Sequence, residues 1–164
     1  MTRIYRVLIL VLLISSDVKG QVPAETIPEF TFLKSDQTVF STKNLTPGKK
    51  FFFIFFDTEC DHCRHAISYL NEHLAAFKTA SIYLITLSGR DKANLFMAAY
   101  GNKLISDKKI TILQDFKNEF ITKFKPRKYP SIYLYSTQKK LILYDDNEQN
   151  MPLFLKRVTE KNKK

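Results

Sequence analysis

The sequence contains several short apolar runs whose lengths are typical of β-strands. Residues 51–56 consist of five phenylalanines and one isoleucine, and residues 81–87 are mostly apolar as well. Continuous apolar runs of this length are typical of strands that are buried on both faces of a sheet. Shorter apolar runs predict three further strands, at residues 110–113, 131–135 and 141–144. The pattern therefore predicts a sheet with residues 51–56 as its central strand.

Two β-hairpins are predicted from turn residues that separate strand patterns. Residues 28–33 alternate between polar and apolar positions, and residues 38–41 can return as a second strand after the turn Ser35-Asp36-Gln37. The other hairpin joins the last two predicted strands through the polar residues 136–140. The first hairpin is predicted to extend the sheet with strands from the amino-terminal segment, and the second supplies its last two strands.

Between the strands, the apolar period changes to that of a helix. Ile67, Leu70, Leu74 and Phe77 recur at steps of three and four residues, which predicts one amphipathic helix over residues 61–78. Three further helices are predicted over residues 91–100, 116–124 and 151–160. Strands that alternate with helices in this order favour an α/β fold, a three-layer sandwich with a central mixed β-sheet and flanking helices.

The amino terminus has the pattern of a secretory signal peptide. Arg3 and Arg6 precede or flank an apolar stretch of about eight residues, and small or polar residues follow up to Gly20. The stretch is shorter than the roughly 20 apolar residues that a membrane-spanning helix needs. We therefore expect residues 1–20 to be cleaved before Gln21 and the protein to be exported, to the periplasm. Residues 21–164 then form a single domain.

The charge of the chain is strongly basic. The formal net charge is +10, and residues 1–20 carry three basic residues and one acidic residue, so cleavage would leave about +8. A basic surface can favour nucleic acid, anionic lipid or acidic proteins. Because an exported protein does not meet nucleic acid, we expect none as a partner. We expect the basic tail at about residues 160–164 to be solvated, and the sequence does not decide whether it contacts a membrane.

The two cysteines of the chain, Cys60 and Cys63, lie in the sequence Cys-Asp-His-Cys where the central strand gives way to the first helix. A disulfide between residues three apart closes too short a loop to add much stability. A helix that begins at about Asp61 would place Cys60 at its cap, where backbone N–H groups and the helix dipole favour a thiolate. Cys63 would lie one turn inside. The spacing predicts reversible redox chemistry, with Cys60 as the nucleophile and Cys63 as the resolving thiol.

Three polar neighbours are expected to modulate this pair. His62 could stabilise the Cys60 thiolate and make the pair more oxidising, whereas Glu59 and Asp61 place negative charge near the sulfur and act in the opposite sense. The balance of these charges leaves the direction of electron flow open.

Residues 55–64, Phe-Phe-Asp-Thr-Glu-Cys-Asp-His-Cys-Arg, resemble the active-site segment of exported thioredoxin-like proteins, the TlpA and AhpC/TSA-related redoxins. The resemblance covers about residues 28–158 and includes Tyr129-Pro130-Ser131. It implies a thioredoxin-like fold and thiol-disulfide oxidoreductase activity. No dissociable cofactor is then needed, because the Cys60–Cys63 disulfide itself carries the two electrons.

The resemblance also implies a groove for the partner protein. In this family the proline that matches Pro130 is cis and faces the cysteine pair, so Pro130 and Tyr129 are expected to line the groove, with Phe56, Asp57 and Glu59 at its rim. Expected partners are protein dithiols or disulfides in the exported compartment, including a membrane redox protein. We expect the protein to act as a monomer.

Three positions depart from the family pattern. Glu59 stands where members often carry tryptophan, Ile54 stands where thioredoxin has a buried acid, and the bulky Tyr129 precedes the proline. A peroxidase is disfavoured, because peroxiredoxins carry threonine at the position of Asp57 and a proline further upstream.

Two alternatives stay open: a soft-metal module that binds or delivers copper through Cys60 and Cys63, and a redox-inactive interaction protein of the same fold.

Overall fold

The computed structural model of the chain describes residues 21–107 and 109–160. The predicted signal peptide, residues 1–20, lies outside the described residues, as do residues 161–164 of the basic tail. Within the described ranges, no helix is both long enough and apolar enough to cross a membrane.

The described residues form seven strands and six α-helices. The strands are β1 (Thr31–Lys34), β2 (Val39–Ser41), β3 (Lys50–Phe56), β4 (Ala80–Thr86), β5 (Ile110–Gln114), β6 (Ser131–Tyr135) and β7 (Leu141–Asp145). The helices are α1 (Asp61–Glu72), α2 (Leu74–Phe77), α3 (Arg90–Tyr100), α4 (Asn102–Ile105), α5 (Glu119–Phe124) and α6 (Met151–Thr159). Two short 3₁₀ helices cover Thr42–Asn44 and Glu148–Asn150.

All seven strands belong to one mixed sheet in the order β2-β1-β5-β4-β3-β6-β7. The central strands β3, β4 and β5 run parallel, and the strands outside them pair antiparallel with their neighbours. The parallel strands are joined through helices, whereas β1–β2 and β6–β7 are hairpins. The predicted mixed sheet with an amino-terminal hairpin and flanking helices is confirmed.

The continuous apolar run of β3 is explained by a core on each face of the sheet. The even-numbered positions from Phe52 to Phe56 face a core covered by α1, α3 and α6. The odd-numbered positions face a second core, built largely of aromatic rings from the amino-terminal hairpin, β6 and α5. In this second core the rings of Phe55 and Phe120 stack with centroids 4.5 Å apart. Packing therefore fixes β3 on both faces, and with it the position of the strand end at which the turn to Cys60 begins.

The register of the sheet brings two distant segments together at that carboxyl end. β6 pairs antiparallel with β3 so that Ser131 lies opposite Phe55. Because Pro130 directly precedes Ser131, it lies beside the point at which the chain leaves β3. β4 pairs parallel with β3, and Thr86 lies opposite Phe56. The loops after β3 and β4 and the loop before β6 therefore meet at the same end of these three strands.

The predicted helix over residues 61–78 is divided in two. α1 ends at Glu72 and α2 begins at Leu74, because His73 leaves helical geometry at φ −102° and ψ 18°. The His73 ring stacks on Tyr69, and its Nδ1 lies 2.9 Å from the Tyr69 carbonyl oxygen, so the side chain competes for a helical acceptor. The apolar stripe remains buried on both sides of the break.

The predicted helix over residues 116–124 starts three residues later, at Glu119. Phe116 lies before it and is 44% exposed. The start is set by the buried Asp115, whose carboxylate accepts the N–H groups of Glu119 at 2.9 Å and Phe120 at 2.7 Å. A carboxylate that satisfies first-turn N–H groups defines where a helix begins.

Candidate active site

Cys60 caps the helix that follows the central strand. Its φ and ψ of −93° and 118° are extended, and its Sγ accepts the backbone N–H of Cys63 at 3.3 Å. Its carbonyl accepts the first helical hydrogen bonds, including one from the N–H of Arg64 at 3.2 Å. A helix N-terminus with free N–H groups favours negative charge at the capping atom. The predicted placement of Cys60 at the cap and Cys63 one turn inside is what the structure has.

The two sulfurs have different surroundings. Both cysteines are free thiols, and Cys60 is partly exposed whereas Cys63 is buried, with 0% of its surface accessible. Burial raises the pKa of the Cys63 thiol, and a hydrogen bond with Cys60 raises it further. Cys63 is therefore held as a thiol, while Cys60 is the more accessible of the two sulfurs.

Asp57 shapes the turn between β3 and α1. Its Oδ1 accepts the N–H of Glu59 at 2.7 Å, and its carbonyl accepts the N–H of Cys60 at 3.4 Å. A hydrogen bond with the Asp57 backbone lowers the pKa of Cys63, and the negative charge of the Asp57 carboxylate raises it by a smaller amount. This carboxylate is thus fixed by the backbone and acts on the buried sulfur.

The acidic residues next to Cys60 are paired with cations. The Glu59 carboxylate accepts from Lys92 Nζ at 2.8 Å, and this hydrogen bond lowers the pKa of Glu59. Asp61 pairs with Arg64 in the first turn of α1. Both pairs are largely exposed, so solvent screens them. The negative potential that the Glu59 and Asp61 carboxylates produce at Cys60 is therefore smaller than the sequence alone suggests.

His62 is turned toward another part of the chain. Its Nδ1 lies 2.9 Å from Oε1 of Glu148, which belongs to the 3₁₀ helix before α6. The hydrogen bonds that reach the Cys60 sulfur within the described ranges come from Cys63, and His62 donates none. The sequence placed His62 beside the reactive sulfur, and the structure gives its imidazole a different partner.

The Tyr129–Pro130 peptide bond is cis. Pro130 is buried, and the half-buried Tyr129 ring packs on Phe55 with centroids 4.8 Å apart. Burial raises the pKa of Tyr129 to about 12, and the negative charge of Asp57 contributes next. The Tyr129 hydroxyl therefore stays protonated beside the cysteines.

Phe56 does not lie where the sequence placed it. It is completely buried and packs on Phe96, with ring centroids 5.2 Å apart. An even-numbered position of β3 faces the helix-covered core, so the side chain cannot form the rim of a groove. Asp57, Glu59 and Tyr129 remain at the surface around Cys60.

Sequence reasoning missed four residues of this region. Lys92 and Glu148 pair with Glu59 and His62. The hydroxyls of Thr58 and Ser88 lie 2.9 Å apart and connect the loops after β3 and β4. Lys92 and Glu148 are single charges on surface segments with no motif around them, so nothing in the sequence pointed to them.

The ligands that the site offers to a metal ion are few. Among residues 21–107 and 109–160, no group of three or more His, Cys, Asp or Glu side chains is arranged to hold one. A soft metal would therefore have to rest on the two sulfurs of Cys60 and Cys63, without help from His62 or His65.

Solved structures resemble this chain over most of its length. A secreted disulfide oxidoreductase of Mycobacterium tuberculosis, homologous to Escherichia coli DsbE, shares 16% identity with a TM-score of 0.64, over 79% of this chain and 96% of its own. The thioredoxin domain of a Bacteroides vulgatus thiol-disulfide oxidoreductase shares 17% with a TM-score of 0.65, over 85% and 99%. A Chlorobium tepidum chain described as a candidate DsbE thiol:disulfide interchange protein shares 15% with a TM-score of 0.68, over 85% and 99%. These likenesses show that the fold is thioredoxin-like.

Comparison with curated protein sequences found no significant match. A family model, by contrast, matches residues 23–144, a span from the amino-terminal segment to β7 that contains both cysteines and Pro130. This chain belongs to the AhpC/TSA family.

Proposed function

We propose that the protein is an exported thiol-disulfide oxidoreductase that exchanges disulfides with partner proteins. The observation that carries the proposal is the asymmetry of the cysteine pair. Cys60 is partly exposed at a helix N-terminus, whereas Cys63 is buried one turn inside and within hydrogen-bonding distance of Cys60. An attacking thiol needs access and thiolate character, and a resolving thiol needs proximity and protection.

The reaction proceeds in two exchanges. The Cys60 thiolate attacks one sulfur of the partner disulfide, and the other partner sulfur leaves as a thiolate and takes up a proton. Cys63 then loses its proton and attacks Cys60 Sγ, which forms the Cys60–Cys63 disulfide and releases the second partner sulfur. Two electrons pass to the partner. The same steps in reverse oxidise a partner dithiol, so no dissociable cofactor is needed.

The surface around Cys60 is proposed to receive the partner chain. Tyr129 and Pro130 lie beside the end of β3, from which Cys60 follows, and Asp57 and Glu59 lie on the intervening turn. The Tyr129 hydroxyl, held protonated, can donate a hydrogen bond to the partner backbone.

Export is part of the same proposal. It is supported by the signal-peptide pattern of residues 1–20 and by the similarity of the fold to a secreted oxidoreductase. An oxidising compartment is one in which thiol-disulfide exchange has substrates. Proposed partners are exported proteins with dithiols or disulfides, and a membrane redox protein that restores the cysteine pair.

The test is the reduction of insulin disulfides by the purified protein, together with its reduction potential. We expect turnover that Cys60→Ser abolishes without changing the thermal unfolding temperature. A potential of about −270 mV would identify a reductant, and one of about −120 mV a disulfide donor. Wild-type activity no higher than that of Cys60→Ser would contradict the proposal and favour an interaction protein. Tight Cu(I) binding without any disulfide exchange would favour the metal module.

A further inference from the structure

Glu148 contacts the active-site motif from a segment 86 residues away in sequence. It begins the 3₁₀ helix Glu148–Asn150, and its Oε1 lies 2.9 Å from His62 Nδ1. The Glu148 side chain is 11% exposed, whereas that of His62 is 71% exposed. The carboxylate is therefore the buried partner of this pair, and the imidazole is the solvent-exposed one.

The segment that carries Glu148 is itself firmly held. The Asp145 carboxylate accepts from the N–H of Asn147 at 2.9 Å and from Nδ2 of Asn150 at 2.7 Å. The Asn147 side chain accepts the N–H of Gln149 at 3.1 Å. These contacts continue from β7 into α6. Glu148 is thus attached to the sheet and not to a free loop.

Glu148 is charged where it meets His62. Burial, the largest single influence, acts to raise the pKa of Glu148, but the hydrogen bond from His62, a backbone hydrogen bond and the nearby His62 and His65 together lower it below its usual value. The other titratable or charged groups around this groove are Asp61, Arg64, His65, Tyr69 and Glu72 on α1 and Tyr100 on α3. Asp61 and Arg64 pair with each other, which leaves Glu148 as the partner of His62.

The position of His62 makes this contact relevant to Cys60. His62 is the second residue of α1 and Cys60 is its cap, so the two are neighbours around the first turn. An imidazolium beside a thiolate stabilises the reduced form of a cysteine pair and makes the pair more oxidising. In this structure the imidazole Nδ1 is bound to Glu148 instead, and the Cys60 sulfur receives its hydrogen bonds from Cys63.

We propose that Glu148 is a positioning residue that holds the His62 imidazole away from the Cys60 sulfur and so makes the cysteine pair less oxidising than it would be with an unbound imidazole. The inference rests on the proposed function, since it concerns the redox equilibrium of Cys60 and Cys63. It assigns to Glu148 a role in setting that equilibrium without any contact with the reacting sulfurs.

The experiment measures the equilibrium constant of the purified protein with glutathione at pH 7, for wild type, Glu148→Gln, His62→Asn and the double variant. We expect Glu148→Gln to make the pair more oxidising by about fivefold to tenfold in that constant. His62→Asn should stay within about twofold of wild type. The double variant should match His62→Asn, because Glu148 acts only through the imidazole.

Two further variants complete the design. Glu72→Gln removes a carboxylate from the same groove and should leave the constant unchanged. Glu148→Asp keeps the charge but shortens the side chain, so it should shift the constant in the same direction as Glu148→Gln even if the glutamine variant folds poorly. An unchanged constant in both Glu148 variants, a shift toward a more reducing pair, or a shift that persists with His62→Asn would overturn the inference. Failure of the wild type to exchange with glutathione would instead contradict the proposed function.

Discussion

At the scale of single residues, Cys60 and Cys63 differ because one turn of helix separates them. The cap position leaves Cys60 at the surface with the N–H of Cys63 directed at its sulfur, and the same turn takes Cys63 into the core between β3 and the helices. The chain needs no further residue to make the two thiols unequal. Burial and Cys60 then raise the pKa of the Cys63 thiol, and the negative charge of Asp57 adds a smaller contribution.

Removal of the Asp57 charge tests that contribution. Because the negative charge of Asp57 contributes to the raised pKa of Cys63, Asp57→Asn should lower that pKa. The measurement is the rate of Cys63 alkylation by a small reagent at one fixed alkaline pH, with and without Asp57→Asn, in a Cys60→Ser background, because that rate rises with the thiolate fraction. Asp91→Asn, a highly exposed carboxylate on α3, serves as the control and should have no effect. A pKa of Cys63 that is unchanged or higher in Asp57→Asn would contradict this account.

At the scale of elements, the central strand also holds the last helix. Lys50, the first residue of β3, is buried, and its Nζ donates to the carbonyl oxygens of Arg157 and Glu160, each at 2.6 Å. Carbonyls at a helix C-terminus lack partners within the helix, and a cation there satisfies them. One side chain therefore links the middle of the sheet to the end of α6.

Lys50→Met should lower the free energy of unfolding by about 1 to 2 kcal/mol, since it keeps the apolar stem but leaves partly buried carbonyls without the lysine as a partner. Urea denaturation measures the change. Lys156→Met, an exposed lysine in the last turn of α6, is the matched control and should change stability by less than about 0.5 kcal/mol. Equal effects of the two substitutions would show that the contacts of Lys50 are not stabilising.

Most elements could be predicted from the sequence because their signal is local. The apolar run at residues 51–56 and the helical stripe from Ile67 to Phe77 each satisfy a periodicity that the structure confirms. The break at His73 and the late start of α5 could not be predicted. They depend on a side chain that competes for a helical acceptor and on the buried Asp115, and neither has a periodic pattern.

The candidate site follows the same division. Cys60 and Cys63 were found because their spacing and the predicted helix start are both local features, and Pro130 was found only through the family resemblance. Lys92 and Glu148 join the site through the sheet topology, from segments 33 and 86 residues away from their partners. Their pairing depends on tertiary structure, which is why the net charge around Cys60 could not be judged from the sequence.

At the scale of the whole molecule, the two faces of the sheet are built differently. One face is covered by α1, α3 and α6, and the other by a layer of aromatic rings that includes the parallel stack of Phe120 and Phe124, with centroids 4.1 Å apart. Large rings bury much area per residue. A single short helix with the amino-terminal hairpin can therefore close that face and fix the strand that leads to Cys60.

The acid stability of the molecule depends on carboxylates that are paired in the fold. Burial is the largest single influence on Glu119 and Glu148 and acts to raise their pKa values. Hydrogen bonds and nearby charges, led by the hydrogen bonds from Lys123 and His62 respectively, together outweigh it, and both pKa values are lowered. A carboxyl group whose pKa is lower in the folded state than in the unfolded state stabilises the fold above its unfolded pKa, about 4.3 for glutamate. That contribution is lost as the pH falls through the folded pKa.

We therefore expect the free energy of unfolding, measured with urea, to fall as the pH is lowered from 6 toward 3. Glu119→Gln should make this fall smaller, since the variant has no carboxyl group to protonate at that position. Glu72→Gln, an exposed position on α1, should leave the slope nearly as it is in wild type. Stability that is constant or rises on acidification would be inconsistent with stabilising carboxylates.

The central claim is that Cys60 attacks and Cys63 resolves, and trapping of mixed disulfides tests it most directly. The purified Cys63→Ser and Cys60→Ser variants are reduced, incubated with insulin and examined by non-reducing electrophoresis and peptide mass spectrometry. Cys63→Ser should accumulate a mixed disulfide with insulin through Cys60, and dithiothreitol should cleave it. Cys60→Ser should form little or none of this complex, because its one remaining thiol is buried. A complex that forms through Cys63, or equally in both variants, would contradict the account.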